Sequence, residues 1–157
     1  MSSYVSSIQE TDFSFVREKT SRYIEHETTE RFRHAECEFK KFLTLVKFGQ
    51  GPLAIPSSAV DEIWHAFILY TPQYRQFCEE VFGFFVDHQP NSVETPVPTS
   101  AISNFYAEYE KHFGQPDPIW FEDFDEETAS LLRGKSVPEW FSTQYKWSGW
   151  PGRLKPA

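Results

Sequence analysis

The chain has 157 residues, of which 39% are hydrophobic and 18% aromatic, and it carries a formal net charge of -8 with a pI near 5.1. A chain of this length buries roughly two thirds of the surface its unfolded form exposes, so it needs neither disulfides nor a metal merely to fold. The acidic balance excludes a general nucleic-acid binder, which gathers Lys and Arg on one face, and leaves an acidic inhibitor or mimic open beside plain solubility.

Sixteen Phe, seven Tyr and five Trp predict a core of large side chains. The start, MSSYVSSIQETDF, has no basic and then apolar stretch, and no eighteen apolar residues run together anywhere. Neither secretion nor a membrane-spanning segment is therefore expected. Cys37 and Cys78 stand in helical patterns rather than a close-spaced framework, which predicts reduced thiols and a cytoplasmic location.

In chain order, apolar residues at Phe13, Val16, Tyr23 and Ile24 predict a helix over 11–24. A second is predicted over 28–48 from Phe32, Ala35, Phe39, Phe42, Leu43 and Val46. Gly49 and Gly51 end it, and GQGPLAIP reads as a turn and a short extended piece. Ser58 is the expected N-cap of a helix running to about residue 70, with Asp61 in a capping-box position. Thr71 and Pro72 then start a helix that Gly83 closes, so 58–82 is a short-linked helix pair.

Residues 84–98 hold three prolines and no helical period, which predicts a long loop of the kind that often carries function. A helix from Thr99 or Ser100 to Gly114 follows, with Ile102, Phe105, Tyr106, Tyr109 and Phe113 as its buried stripe. Next come an acidic stretch from Asp117 to Glu127 with a short helix near 125–133, and an irregular tail over 134–157 with Trp140, Trp147 and Trp150. Lys146, Arg153 and Lys155 of that tail are expected to lie against the acidic stretch. The reading is a mainly α, single compact helical domain, residues 1–157, of about five to six helices with a long Pro-containing loop and an aromatic tail.

Chemistry concentrates in residues 56–90. Asp61 and His65 are four apart, so one helix face presents a carboxylate and an imidazole to the same point. Val60, Ile63, Trp64 and Phe67 form the apolar side, which puts Asp61 and His65 on its flank. If the loop after the pair folds back, His88 joins them as a two-histidine, one-carboxylate set suited to Zn²⁺ or non-haem Fe²⁺ with open positions. Cys78 offers a further thiolate, or is a small core residue. The plain alternatives are that Asp61 caps its own helix, His65 bonds a carbonyl and His88 faces water. His26, His34 and His112 read as solvated side chains.

The run PSxxVDEIWHxxIL, then TxxYxxFC, then FGxFxxH, resembles the glycine-rich domain-containing-protein-like family, with Asp61, Trp64, His65, Tyr74, Cys78 and His88 all in step. The resemblance covers about a quarter of the chain and implies a helical module without an assigned reaction. Many such relatives carry a second histidine two residues after the first, where this chain has Phe67. No GxSxG, P-loop or GxGxxG pattern is present, so hydrolase-elbow, phosphate-loop and dinucleotide chemistry lack their geometry.

Three functions remain. The first is a binding module for a protein or small-molecule partner, with Trp64, His65, Tyr74 and His88 as contacts and the tail indoles as anchors. The second is a small metal-dependent enzyme using Asp61, His65 and His88. The third is a structural domain whose motif is a packing device, with the Trp64 N–H requiring a buried acceptor.

Overall fold

Thr28 opens the longest helix by accepting the Arg31 amide on its side chain, which satisfies one of the donors that a helix N-terminus leaves unpaired. The computed structural model describes residues 3–20, 28–134 and 136–137. Its helices in chain order are α1 (Ser3–Glu10), a 3-10 helix (Ser14–Lys19), α2 (Thr29–Phe48), α3 (Ser58–Leu69), α4 (Thr71–Val81) and α5 (Thr99–Phe113). A 3-10 turn (Pro118–Trp120) and α6 (Glu126–Arg133) complete them, and there is no strand among the described residues. The mainly helical class is thus as the periodicity predicts.

α2 is the hub, packing against α1, α3 and α5, while α3 also rests on α4 and the first 3-10 helix. Its stripe of Phe32, Ala35, Phe39, Phe42, Leu43 and Val46 is buried, as the spacing requires. Rings meet edge-on or tilted through the core. Phe13 lies 5.3 Å from Phe39 and 5.1 Å from Phe67, Phe42 lies 5.3 Å from Trp64, and Phe105 lies 4.5 Å from Trp120. Such pairs add about 0.5–1.5 kcal/mol each beyond the area they bury.

The predicted first helix is corrected. Residues 3–10 are helical, and residues 11–13 break the helix before the 3-10 turn. Asp12 accepts the Ser14 amide and Glu36 of α2 accepts the Phe13 amide, so side chains divert the backbone donors that a continuing helix would use. Residues 21–24 of that prediction lie outside the described residues.

Two caps also differ by one position. Ser57, not Ser58, caps α3 and accepts the Val60 amide; Tyr70, not Thr71, precedes α4, whose first turn holds Pro72. Gly83, at φ +78°, ends α4 in a left-handed turn that a side chain would strain, and the chain then runs without helix to Pro98. The tail with Trp140, Trp147 and Trp150 lies outside the described residues. Among those described, no helix is long and apolar enough to cross a membrane.

Candidate metal centre

The site helix α3 is fixed at its N-terminus from two sides. Besides the Ser57 cap, the Asp123 carboxylate accepts the Ser58 amide at 2.6 Å and the Ser58 hydroxyl at 2.8 Å. A carboxylate is favoured there because the aligned peptide dipoles leave partial positive charge at a helix N-terminus. One turn in, Asp61 points inward rather than capping its helix or lining the flank of the apolar face, and its side chain is 4% exposed.

The loop after α4 returns His88 to this carboxylate. His88 Nε2 lies 2.8 Å from Asp61 Oδ1, and its imidazole is 7% exposed. His65 Nε2 stands 3.3 Å from Asp61 Oδ2, with that side chain half exposed. Thus each oxygen of one buried carboxylate faces one imidazole nitrogen. The two imidazole centroids are 4.6 Å apart, and the ligand-type atoms of Asp61, His65 and His88 all lie within 4.8 Å of one another. His65 and His88 line a shallow hollow of about 350 Å³ with Ile68 and Pro90, so the imidazole side of the cluster opens to solvent between apolar flanks.

Burial pushes the Asp61 carboxyl above its ordinary pKa, against the opposing pull of the His88 hydrogen bond and the charge of His65. His65 is raised chiefly by Glu62, whose carboxylate is 3.8 Å from Nδ1, with burial opposing and Asp61 adding. At metal–ligand distances of about 2.0–2.2 Å and a tetrahedral angle, neighbouring ligand atoms sit about 3.3 Å apart. The His65–Asp61 spacing already has this value, and the His88–Asp61 spacing is that of the hydrogen bond a cation would replace.

Trp64 and Tyr74 lie behind the cluster, at 0% and 3% exposure, so neither offers a surface to a partner. The Trp64 indole stacks on His88 at 4.1 Å and donates to the Tyr74 hydroxyl at 3.1 Å, which in turn donates to the Val86 carbonyl at 2.5 Å. Burial raises the Tyr74 hydroxyl well above the usual phenol value. Cys78 is buried with them. Its thiol is raised first by burial and is held by the Val86 backbone and Tyr74, and it is not among the converging ligand atoms.

A family model described as UCP032817-like matches residues 5–103, more than half of the chain. The chain belongs to the UCP032817-like family. No curated protein and no solved structure matches it. The stretch shared with the UCP032817-like family contains Asp61, Trp64, His65, Tyr74, Cys78 and His88, and its description assigns no reaction or ligand.

A second buried polar cluster escapes the sequence reading. Glu38 of α2, 2% exposed, accepts Tyr109 Oη and Trp120 Nε1, each at 2.7 Å, on Oε2, and Lys41 Nζ at 2.7 Å on Oε1. Burial pushes the Tyr109 hydroxyl up to about 12, with Glu38 adding to the shift. Burial lowers the Lys41 ammonium, but Glu38 and Tyr109 more than offset this and hold its pKa above the ordinary value. His34 is not free in solvent: its Nε2 pairs with Asp117 Oδ2 at 3.0 Å. His34, Glu38 and Asp117 also bring ligand-type atoms together, yet the Lys41 ammonium already neutralises Glu38. His112, 3.5 Å from Glu108, is a paired surface side chain, and His26 lies outside the described residues. Glu38 looks in sequence like any charge on an amphipathic helix; only its partners 71 and 82 positions away mark it.

Proposed function

We propose that this helical module binds one divalent transition metal, Zn²⁺ or Fe²⁺, through Asp61, His65 and His88. The observation that carries the reading is a buried carboxylate with both oxygens faced by imidazole Nε2 atoms, beside a hollow wide enough for water or a small ligand. Two imidazoles and one carboxylate suit either ion and leave positions open, and a bound ion lowers the pKa of coordinated water. The resemblance of residues 56–90 to the glycine-rich domain-containing-protein-like family falls wholly inside the matched stretch and is consistent with a shared site, without naming its ligand. Both Cys37 and Cys78 are free thiols, in keeping with a reducing, cytoplasmic setting.

The test is elemental mass spectrometry on untagged protein purified without chelators, comparing the wild type with His65→Ala. About one Zn or Fe per chain, lost in the variant, supports the site. Metal far below that ratio that reconstitution does not restore overturns it. The 2.8 Å Asp61–His88 bond would then be the motif's purpose, a tie between loop and helix.

A further inference from the structure

Behind the two imidazoles runs a chain of contacts through three segments: α3 by Trp64, α4 by Tyr74, and the returning loop by Val86 and His88. The Tyr74 hydroxyl is its midpoint. It accepts the Trp64 N–H and donates to the carbonyl of Val86, two residues before His88, while the face of Trp64 lies on the His88 ring at 4.1 Å and 25°. The Tyr74 ring is itself set edge-on to Phe67 at 5.1 Å and to Phe85 at 5.3 Å, so the hydroxyl has little freedom to move. One oxygen thus fixes the height of the loop and the tilt of the indole on which His88 rests.

From this geometry we infer that Tyr74 is a positioning residue for the metal centre: its hydroxyl, acting through Trp64 and Val86, sets the orientation in which His88 meets the ion. The inference rests on the metal-binding reading of Asp61, His65 and His88. Loop residues have many backbone states, and a ligand donated from a loop must be ordered before it binds. Here that ordering is built in by two hydrogen bonds and one ring stack among buried groups. Groups that orient a metal ligand without touching the ion commonly change metal affinity by about ten- to a hundredfold when removed.

The experiment measures the Zn²⁺ dissociation constant by competition with a chromophoric chelator, together with thermal stability, for the wild type, Tyr74→Phe, Trp64→Phe and Tyr106→Phe. Tyr106 is the control: its buried hydroxyl also donates to a backbone carbonyl, that of Trp120 at 2.6 Å, in a part of the core away from the hollow. A purely structural role for Tyr74 makes the two tyrosine variants alike. The positioning role weakens Zn²⁺ binding about ten- to a hundredfold in Tyr74→Phe while Tyr106→Phe stays within about twofold of the wild type.

Trp64→Phe keeps a ring beside His88 but lacks the N–H, and is expected to weaken binding by a smaller factor; it carries the test if Tyr74→Phe does not fold. Undiminished binding in Tyr74→Phe, or an equal loss in Tyr106→Phe, overturns the inference and leaves the metal site standing. A wild type that binds no Zn²⁺ overturns both.

Discussion

His88 and Asp61 are joined by a 2.8 Å bond across 27 positions, and this bond ties the loop that follows α4 to the first turns of α3. Replacing Asp61 by Ala removes the acceptor and leaves a nearly buried imidazole unmatched, at a cost of about 1–3 kcal/mol. Asp61→Asn keeps an oxygen for His88 and has a smaller effect on the apo fold. With Zn²⁺ bound at the proposed site, both variants should lose the stabilisation that the ion would give the wild type, about 2.7 kcal/mol at a hundredfold excess over the dissociation constant and read as a rise in melting temperature. Differential scanning fluorimetry with and without Zn²⁺ separates the two effects, and a full Zn²⁺ response in Asp61→Asn would rule out Asp61 as a ligand.

Glu38 carries a different kind of weight. Its two oxygens hold Tyr109, Trp120 and Lys41, so Glu38→Ala leaves an indole N–H, a phenol and an ammonium without their acceptor in or near the core. The Lys41 side chain is 30% exposed and keeps the Tyr109 hydroxyl as a partner, so the cost comes from the two buried neutral donors, at about 1–3 kcal/mol for each left unmatched. Urea denaturation should place this variant below any single substitution at Asp61 or Asp123. Stability within about 1 kcal/mol of the wild type would mean that water replaces the carboxylate.

These two residues also mark what the sequence could and could not disclose. Helical periodicity located α2, the α3–α4 pair and α5 well, because each is a long amphipathic stretch closed by glycine; α2 and α3 also open on a side-chain cap, whereas Pro98 precedes α5 and neither Thr99 nor Ser100 caps it. The i,i+4 spacing and the prolines after Gly83 were enough to suggest the Asp61, His65 and His88 set. The depth of Asp61 was not legible, since its flank position on the wheel gave no account of the loop that covers it. Phe67 is instructive in the same way. Its ring packs on Phe13, Phe77 and Tyr74, so a histidine at this position in a relative would sit among core aromatics rather than beside His65. Glu38 and α1 were missed because their character comes from distant partners, which periodicity does not encode.

Asp123 gives a stability prediction with a consequence for the site. Its carboxylate takes the Ser58 amide and hydroxyl in the N-terminal turn of α3, an arrangement equivalent to a second cap supplied from 65 positions away. Asp123→Ala should cost about 1 kcal/mol, the usual size of a lost cap. Hydrogen exchange should localise the loss to residues 58–61. Protection there unchanged from the wild type would show that Ser57 alone secures the helix start.

Asp117 supplies the pH dependence. Burial raises its carboxyl, but the Ile119 amide at 2.9 Å and the His34 imidazole more than offset this and hold it below its ordinary value of 3.8. A carboxylate depressed in the folded state adds stability that is fully present above the unfolded value and is lost as pH falls through the folded one. The side chain is 27% exposed and its partner His34 is 43% exposed, so screening keeps the contribution below about 1 kcal/mol. Asp117→Asn retains an oxygen for Ile119 but has no proton to gain. The wild type should therefore be the more stable at pH 5, and the difference should fade as the pH drops below the ordinary value of 3.8 and Asp117 takes up its proton. Asp12 and Asp125, also depressed, titrate in both proteins and cancel from the comparison. Denaturant melts at pH 5, 3.5 and 2.5 measure it, and a difference that stays constant across this range would show that Asp117 acts through shape rather than charge.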